Sequence, residues 1–201
     1  LNFSRSFVWA FIVLLFVRFI QIINWKNLMK GIGYQLPFLE VFANYSIVLL
    51  PKYIPGGIWG YISRGEWLNK KFKIDYGSSN YISVVETILV IISSVQINIF
   101  YIYYVKKKLS IFITIIIILT LLLIPYILLN SKKSIPNNKK ITMSINNFIK
   151  REKIPFINYL YSWILNILVW TGYGIAINYI AASFNIFADH SIIYYAFIFS
   201  T

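Results

Sequence analysis

The stretch LSIFITIIIILTLLLIPYILL, Leu109 to Leu129, runs without a charged side chain. Its length matches the roughly 20 residues an α-helix needs to cross bilayer hydrocarbon. Hydrocarbon offers no partner to backbone N–H and C=O groups, so only helices and closed barrels span it. The apolar runs in this chain are continuous rather than alternating, which argues against barrel strands. The expected fold is therefore all-α, a polytopic α-helical integral membrane protein.

Composition agrees. Of 201 residues, 59% are hydrophobic and 12% charged, with a mean hydropathy of +0.69. A soluble domain carries about 25% charged residues. The net charge of +13 raises the question of nucleic acid. The cations, however, sit between apolar runs, as juxtamembrane anchors do, so no nucleic-acid partner is expected and membrane lipids are.

Five more apolar segments accompany the first, and one transmembrane domain over residues 1–201 is expected. Phe7 to Trp25 is long enough to span, with Arg18 inside it. Arg18 either snorkels toward the Lys26 end, the favoured alternative, or faces a polar interior. Pro37 to Ile54 is interrupted by Glu40, Asn44 and Pro51, so it is expected to be re-entrant, a half-helix, or a span buried among others. Tyr81 to Tyr104 and Ile157 to Ala182 complete the full-length runs. A sixth, residues 191–201, is cut short by the end of the sequence. Residues 145–149, in the polar loop after the Leu109 run, are a candidate interfacial helix. The chain begins at Leu1 and ends within YYAFIFST, so a fragment of a longer protein is expected.

Charge sets the orientation. Lys52, Arg64, Lys70, Lys71 and Lys73 lie in one region, and seven cations lie between Lys132 and Lys153. The positive-inside tendency places both regions in the cytoplasm, in a multi-pass protein of the cytoplasmic membrane. The triplet Lys106 to Lys108 runs against that assignment.

The stretch LLPKYIPGGIWGYISRGEW, Leu49 to Trp67, breaks the greasy pattern. Pro51 and Pro55 remove backbone donors, and Gly56 and Gly57 permit close approach. A broken helix around Pro51 to Gly57 presents bare amides suited to an anion. Lys52 and Arg64 flank it, and arginine's planar fork suits phosphate. The competing reading is a tight cytoplasmic loop whose cations meet lipid headgroups.

Glu40 and Glu86 are further candidates, because ionisable groups within apolar segments are costly. Either is a possible partner for Arg64 or Arg18, as an ion pair or in substrate handling. Asp189 and His190 are expected in a solvated loop, since no nucleophile or metal set accompanies them. Trp59, Trp67, Trp163 and Trp170 are assigned to interfacial belts and packing. Gly172 and Gly174 are assigned to close helix contact rather than a hinge. Cysteine is absent, as are HExxH, GxSxG, Walker, GxGxxG and DxD patterns. No metal, cofactor or catalytic residue is assigned, and a non-enzymatic role is favoured.

Several of these features occur in an order that resembles the lysylphosphatidylglycerol synthase transmembrane-region family, the flippase-like domain. They are Arg18, Trp25, KGIG at Lys30 to Gly33, KYIPGG at Lys52 to Gly57, Arg64, Lys71 to Ile74 and Glu86. SWILNILVWTGYGIAINYIAASF is similar to a later tryptophan-and-glycine helix of that family. KFKID departs from the pattern in lacking a glycine before Ile74. The family's first helix and its second proline-glycine-glycine motif are not in this chain, nor is the synthase's soluble aminoacyl-transfer domain. The resemblance implies translocation of an anionic or amino-modified phospholipid, or an isoprenoid-type lipid. Lys52, Pro55, Gly56, Gly57, Arg64 and Glu86 would then form the headgroup site. The alternative is a membrane subunit or accessory factor, with or without transferase activity, in cell-surface polysaccharide or glycolipid synthesis. Partners on these readings are lipids, a second copy of the chain, or envelope-synthesis proteins.

Overall fold

The computed structural model describes residues 3–47, 59–106, 110–130 and 153–184. These residues form six α-helices and no strand: α1 Phe3–Gly31, α2 Phe38–Ile47, α3 Trp59–Phe72, α4 Tyr76–Lys106, α5 Ile111–Asn130 and α6 Phe156–Ser183. Four of them, α1, α4, α5 and α6, are long and apolar enough to cross a membrane. Large apolar side chains such as Phe16, Phe112 and Leu128 stand more than half exposed along these helices. In water that surface would drive association; in a bilayer it meets acyl chains.

The helix ends follow from local chemistry. Gly33 closes α1 with φ 95°, and its N–H and that of Tyr34 bond to the carbonyls of Lys30 and Met29. This is the two-bond glycine cap that satisfies a helix's last carbonyls. Pro37 opens α2, its carbonyl accepting from Glu40 and Val41. Asp75 caps α4, its Oδ2 accepting from the Gly77 N–H at 3.1 Å. The helix therefore starts five residues before the expected Tyr81, because the cap lies ahead of the apolar run. Ser110 caps α5 in the same manner, and Pro155 opens α6. Between α3 and α4, Lys73 adopts φ 56°, the left-handed region. It is the position before Ile74 where the glycine of the resembled pattern is lacking.

The described residues pack as two units. The first takes in Leu1–Ile23, Val90–Leu121 and Trp163–Thr201. Its core joins Val17 and Ile20 of α1 to Leu165 and Val169 of α6. Gly172 makes that approach possible: a β-carbon there would lie 2.4 Å from Val17 Cγ2. Gln96 of α4 ties two helices at once, accepting from Trp163 Nε1 and donating to the Ile118 carbonyl. Arg18 is exposed and reaches Gln21, one turn nearer Lys26, and Gln21 donates to the Tyr173 hydroxyl.

The second unit takes in Asn24–Leu89 and Leu122–Ser162. Trp25, Leu28, Met29, Val41, Leu68, Tyr81, Ile82, Leu89, Ile154 and Tyr159 are its most deeply buried large side chains. Asn27 and Asn158 form a reciprocal clasp between α1 and α6. Asn27 Nδ2 donates to the Asn158 carbonyl and Ser162 Oγ, and Asn158 Nδ2 returns a bond to Asn27 Oδ1 at 2.9 Å. Tyr159 donates to the Leu122 carbonyl, beside the step in α5 where Pro125 removes a backbone donor.

Within this unit α2 and α3 run antiparallel. Glu40, in the first turn of α2, pairs with Lys71 near the end of α3. Asn44, one turn on, donates to the carbonyl of Arg64. The α2–α3 pair thus starts and finishes at one end, where α1 stops and α4 starts. The described part of α2 has 10 residues, about 15 Å, half the hydrocarbon thickness. The expected re-entrant turn itself, Pro51 to Gly57, lies outside the described residues. So do residues 145–149, the Asp189–His190 pair and the sixth apolar segment.

Two substitutions test this packing. Gly172→Ala should destabilise the protein by about 1–3 kcal/mol through overpacking against Val17, less about 1 kcal/mol of helix propensity. Val17→Ala should relieve that loss when combined with it, as read by thermal unfolding in detergent. Lys73→Gly should raise stability by up to about 1 kcal/mol and Lys73→Val should lower it, because only the first relaxes a left-handed backbone.

Candidate functional site

Arg64 is the centre of the second unit's polar chemistry. It lies on α3, seven residues before Lys71, so its Cα is about 10 Å along the axis from the charged end. Its side chain is only 3% exposed. A bare guanidinium at such a place is untenable without partners. Three groups answer it. Nη1 donates to Glu86 Oε2 on α4 at 2.8 Å. The guanidinium carbon sits 3.9 Å from the ring centroid of Trp25 on α1. Tyr45 on α2 provides a second aromatic face at 5.1 Å. A desolvated cation over an indole face is worth about 2 kcal/mol.

Four helices therefore converge on one cation. Each does so by register. Trp25 is six residues before the end of α1, and Glu86 is ten residues into α4, so both lie about 10–15 Å inside the charged end. Gly65, next to Arg64, packs on Tyr76 and Ser79 of α4 and brings the helices together. Tyr61 and Thr87 share a hydroxyl bond of 3.0 Å between the same two helices.

The site is not saturated. Arg64 Nε, Trp25 Nε1 and Asn44 Oδ1 are buried without a hydrogen-bond partner. Glu86 is the more open half of the ion pair, at 12% exposure. The arrangement is a fixed buried cation, held on a ring, with spare donors and one carboxylate at its edge. Chemically it suits an anion that approaches from the Glu86 side.

The other candidates separate from it. Of the partners open to the two glutamates, Glu86 takes Arg64, whereas Glu40 pairs with Lys71, because the antiparallel register puts α2's first turn beside α3's last. Lys71 also lies 5.2 Å over Trp67. Glu66 and Lys70 form an exposed pair one turn apart, and the Glu66 hydrogen bond raises the Lys70 pKa. Such exposed pairs contribute little to stability. Lys52, Pro55, Gly56 and Gly57 lie outside the described residues. Trp163 and Trp170 serve packing, through bonds to Gln96 and the Val90 carbonyl, while Trp59 stands exposed. Among the described residues no cluster of His, Asp or Glu is placed to hold a metal.

Sequence reasoning singled out Arg64 and Glu86 without pairing them firmly. It named Trp25 only through the resemblance, and it missed Tyr45 and the Asn27–Asn158 clasp. Polar residues inside apolar segments were the available signal, since each needs a partner across the helix interface.

Arg64→Ala and Glu86→Ala should each cost about 3–5 kcal/mol, because each strands a buried charge. The double replacement Arg64→Met with Glu86→Leu should cost much less than the sum, as measured by unfolding in detergent. Simple additivity would mean that the two charges do not depend on each other. Comparisons with protein-family models, with curated proteins and with solved structures find no match to this chain.

Proposed function

We propose that this chain is a flippase-like domain of the cytoplasmic membrane that moves a phospholipid or isoprenoid-type lipid with an anionic headgroup between leaflets. The observation that carries the reading is the buried Arg64–Glu86 pair stacked on Trp25 in a chain this apolar. Ionisable groups at membrane depth are expensive, and where they persist they mark the path of a polar cargo. An aliphatic core of equal volume would stabilise the same helices at least as well.

The resemblance to the lysylphosphatidylglycerol synthase transmembrane region rests on the quoted residues alone. Two features of the fold support it. Arg18 and the later tryptophan-and-glycine helix apart, the resembled residues among those described fall in one unit: Trp25, Lys30, Gly33, Arg64, Lys71 and Glu86. Lys73 carries the left-handed backbone that the family's glycine would suit. The orientation follows from charge. Lys26, Lys30, Lys71, Lys73 and Lys153 lie at helix ends that meet at one end of the second unit, and this end is assigned to the cytoplasm. Arg64 would then face cargo entering from the cytoplasmic leaflet.

The test is reconstitution in vesicles containing a fluorescent phosphatidylglycerol, with dithionite reporting leaflet exchange. Arg64→Lys keeps the charge but loses the planar fork. It should slow exchange by about tenfold or more, a barrier raised by about 1.4 kcal/mol or more, while insertion and folding persist. No exchange by the native chain, or native rates in a folded Arg64→Lys, would overturn the reading.

A further inference from the structure

We propose that Glu86 is a displaceable internal counter-ion, occupying in the resting protein the place on Arg64 that a phosphate group of the cargo takes. The inference rests on the lipid-site reading above and adds how the site is kept closed between cargoes.

The two halves of the ion pair are held differently. Arg64 is anchored without help from Glu86: its guanidinium lies on the Trp25 face, with Tyr45 behind it, and Asn44 holds its backbone carbonyl. Its Nε and the neighbouring Trp25 Nε1 are buried donors with no partner. Glu86 meets Arg64 through one oxygen, at 2.8 Å, a single contact rather than a two-point fork. Its side chain is the more exposed of the two.

A phosphate has more oxygens than that one contact uses. It can take Nη1 from Glu86 and also engage a donor that the carboxylate leaves idle. The exchange is between two anions on one cation, so the buried charge is never left uncompensated. Glu86 moves toward the open side as the phosphate arrives and returns when it leaves. A fixed cation with a mobile native anion binds a phosphate less tightly than a bare cation would, and this keeps release possible.

The shared chemistry is a phosphate oxyanion, either in a lipid headgroup or free. The experiment uses the full chain in detergent micelles, with sodium chloride at matched ionic strength as the control. Glu86→Ala should lower the thermal midpoint. Inorganic phosphate or dihexanoyl phosphatidylglycerol should then raise it by about 5 °C more than in the native chain. Adding Arg64→Gln to Glu86→Ala should abolish the response. Should Glu86→Ala not fold, Glu86→Gln serves, read by quenching of indole fluorescence. It should bind the same probes about tenfold more tightly than the native chain, with Trp25→Phe removing the signal.

A response to both probes, or to phosphatidylglycerol alone, supports the proposal with a lipid source. A response to inorganic phosphate alone supports displacement and overturns the lipid source. No gain over the native chain, or a gain that survives Arg64→Gln, overturns the proposal. Vesicle transport failing while rescue succeeds would remove the lipid reading and leave the counter-ion exchange standing.

Discussion

A single desolvated cation organises the second unit. Once α3 carries Arg64 inward, the rest must compensate a charge where water is excluded. The carboxylate of Glu86, the indole of Trp25 and the ring of Tyr45 do so from three other helices. Each contact demands a register: α1 must stop one and a half turns beyond Trp25, and α4 must start early enough to bring Glu86 level with Arg64. The Asp75 cap and the left-handed step at Lys73 set that start. Helix ends that look like local details thus become conditions for neutralising one charge.

The same constraint involves α2, which contributes polar and aromatic groups to Arg64. α2 brings Tyr45 and Asn44 to Arg64 within its 10 described residues. Its antiparallel partner α3 returns to the end from which α2 set out, secured by Glu40 and Lys71. The described parts of α2 and α3 bring polar side chains together inside the second unit. Within the second unit, α2 and α3 carry Asn44, Tyr45 and Arg64.

Much of this was legible in the amino-acid order. Long apolar runs announce α1, α4, α5 and α6, because burial in hydrocarbon leaves few alternatives to a helix. Glu40 and Asn44 mark α2 as a helix whose polar groups need partners. The need of Arg64 and Glu86 for partners was visible as charge in an apolar chain. What hydropathy does not encode is pairing. The partnership of Glu40 with Lys71 depends on the antiparallel register of two helices. The Trp25 stack depends on a ring's direction. α4 begins before its apolar run, at the Asp75 cap, and Ser78 and Ser79 there are buried although their composition looks like loop. Gly172 shows the reverse case, where a missing side chain was a dependable sign of close approach.

The asparagine clasp carries a consequence for biosynthesis. Asn27 and Asn158 are 131 residues apart, and each depends on the other to satisfy its amide. At a ribosome speed of about 5–20 residues per second, α1 waits roughly 7 to 26 s in the membrane before its partner is made. During that interval a carboxamide near the end of α1 has to borrow water or headgroup contacts at the surface. Arrival of α6 releases it from that loan, so the last described helix to leave the translocon is the one that locks the first.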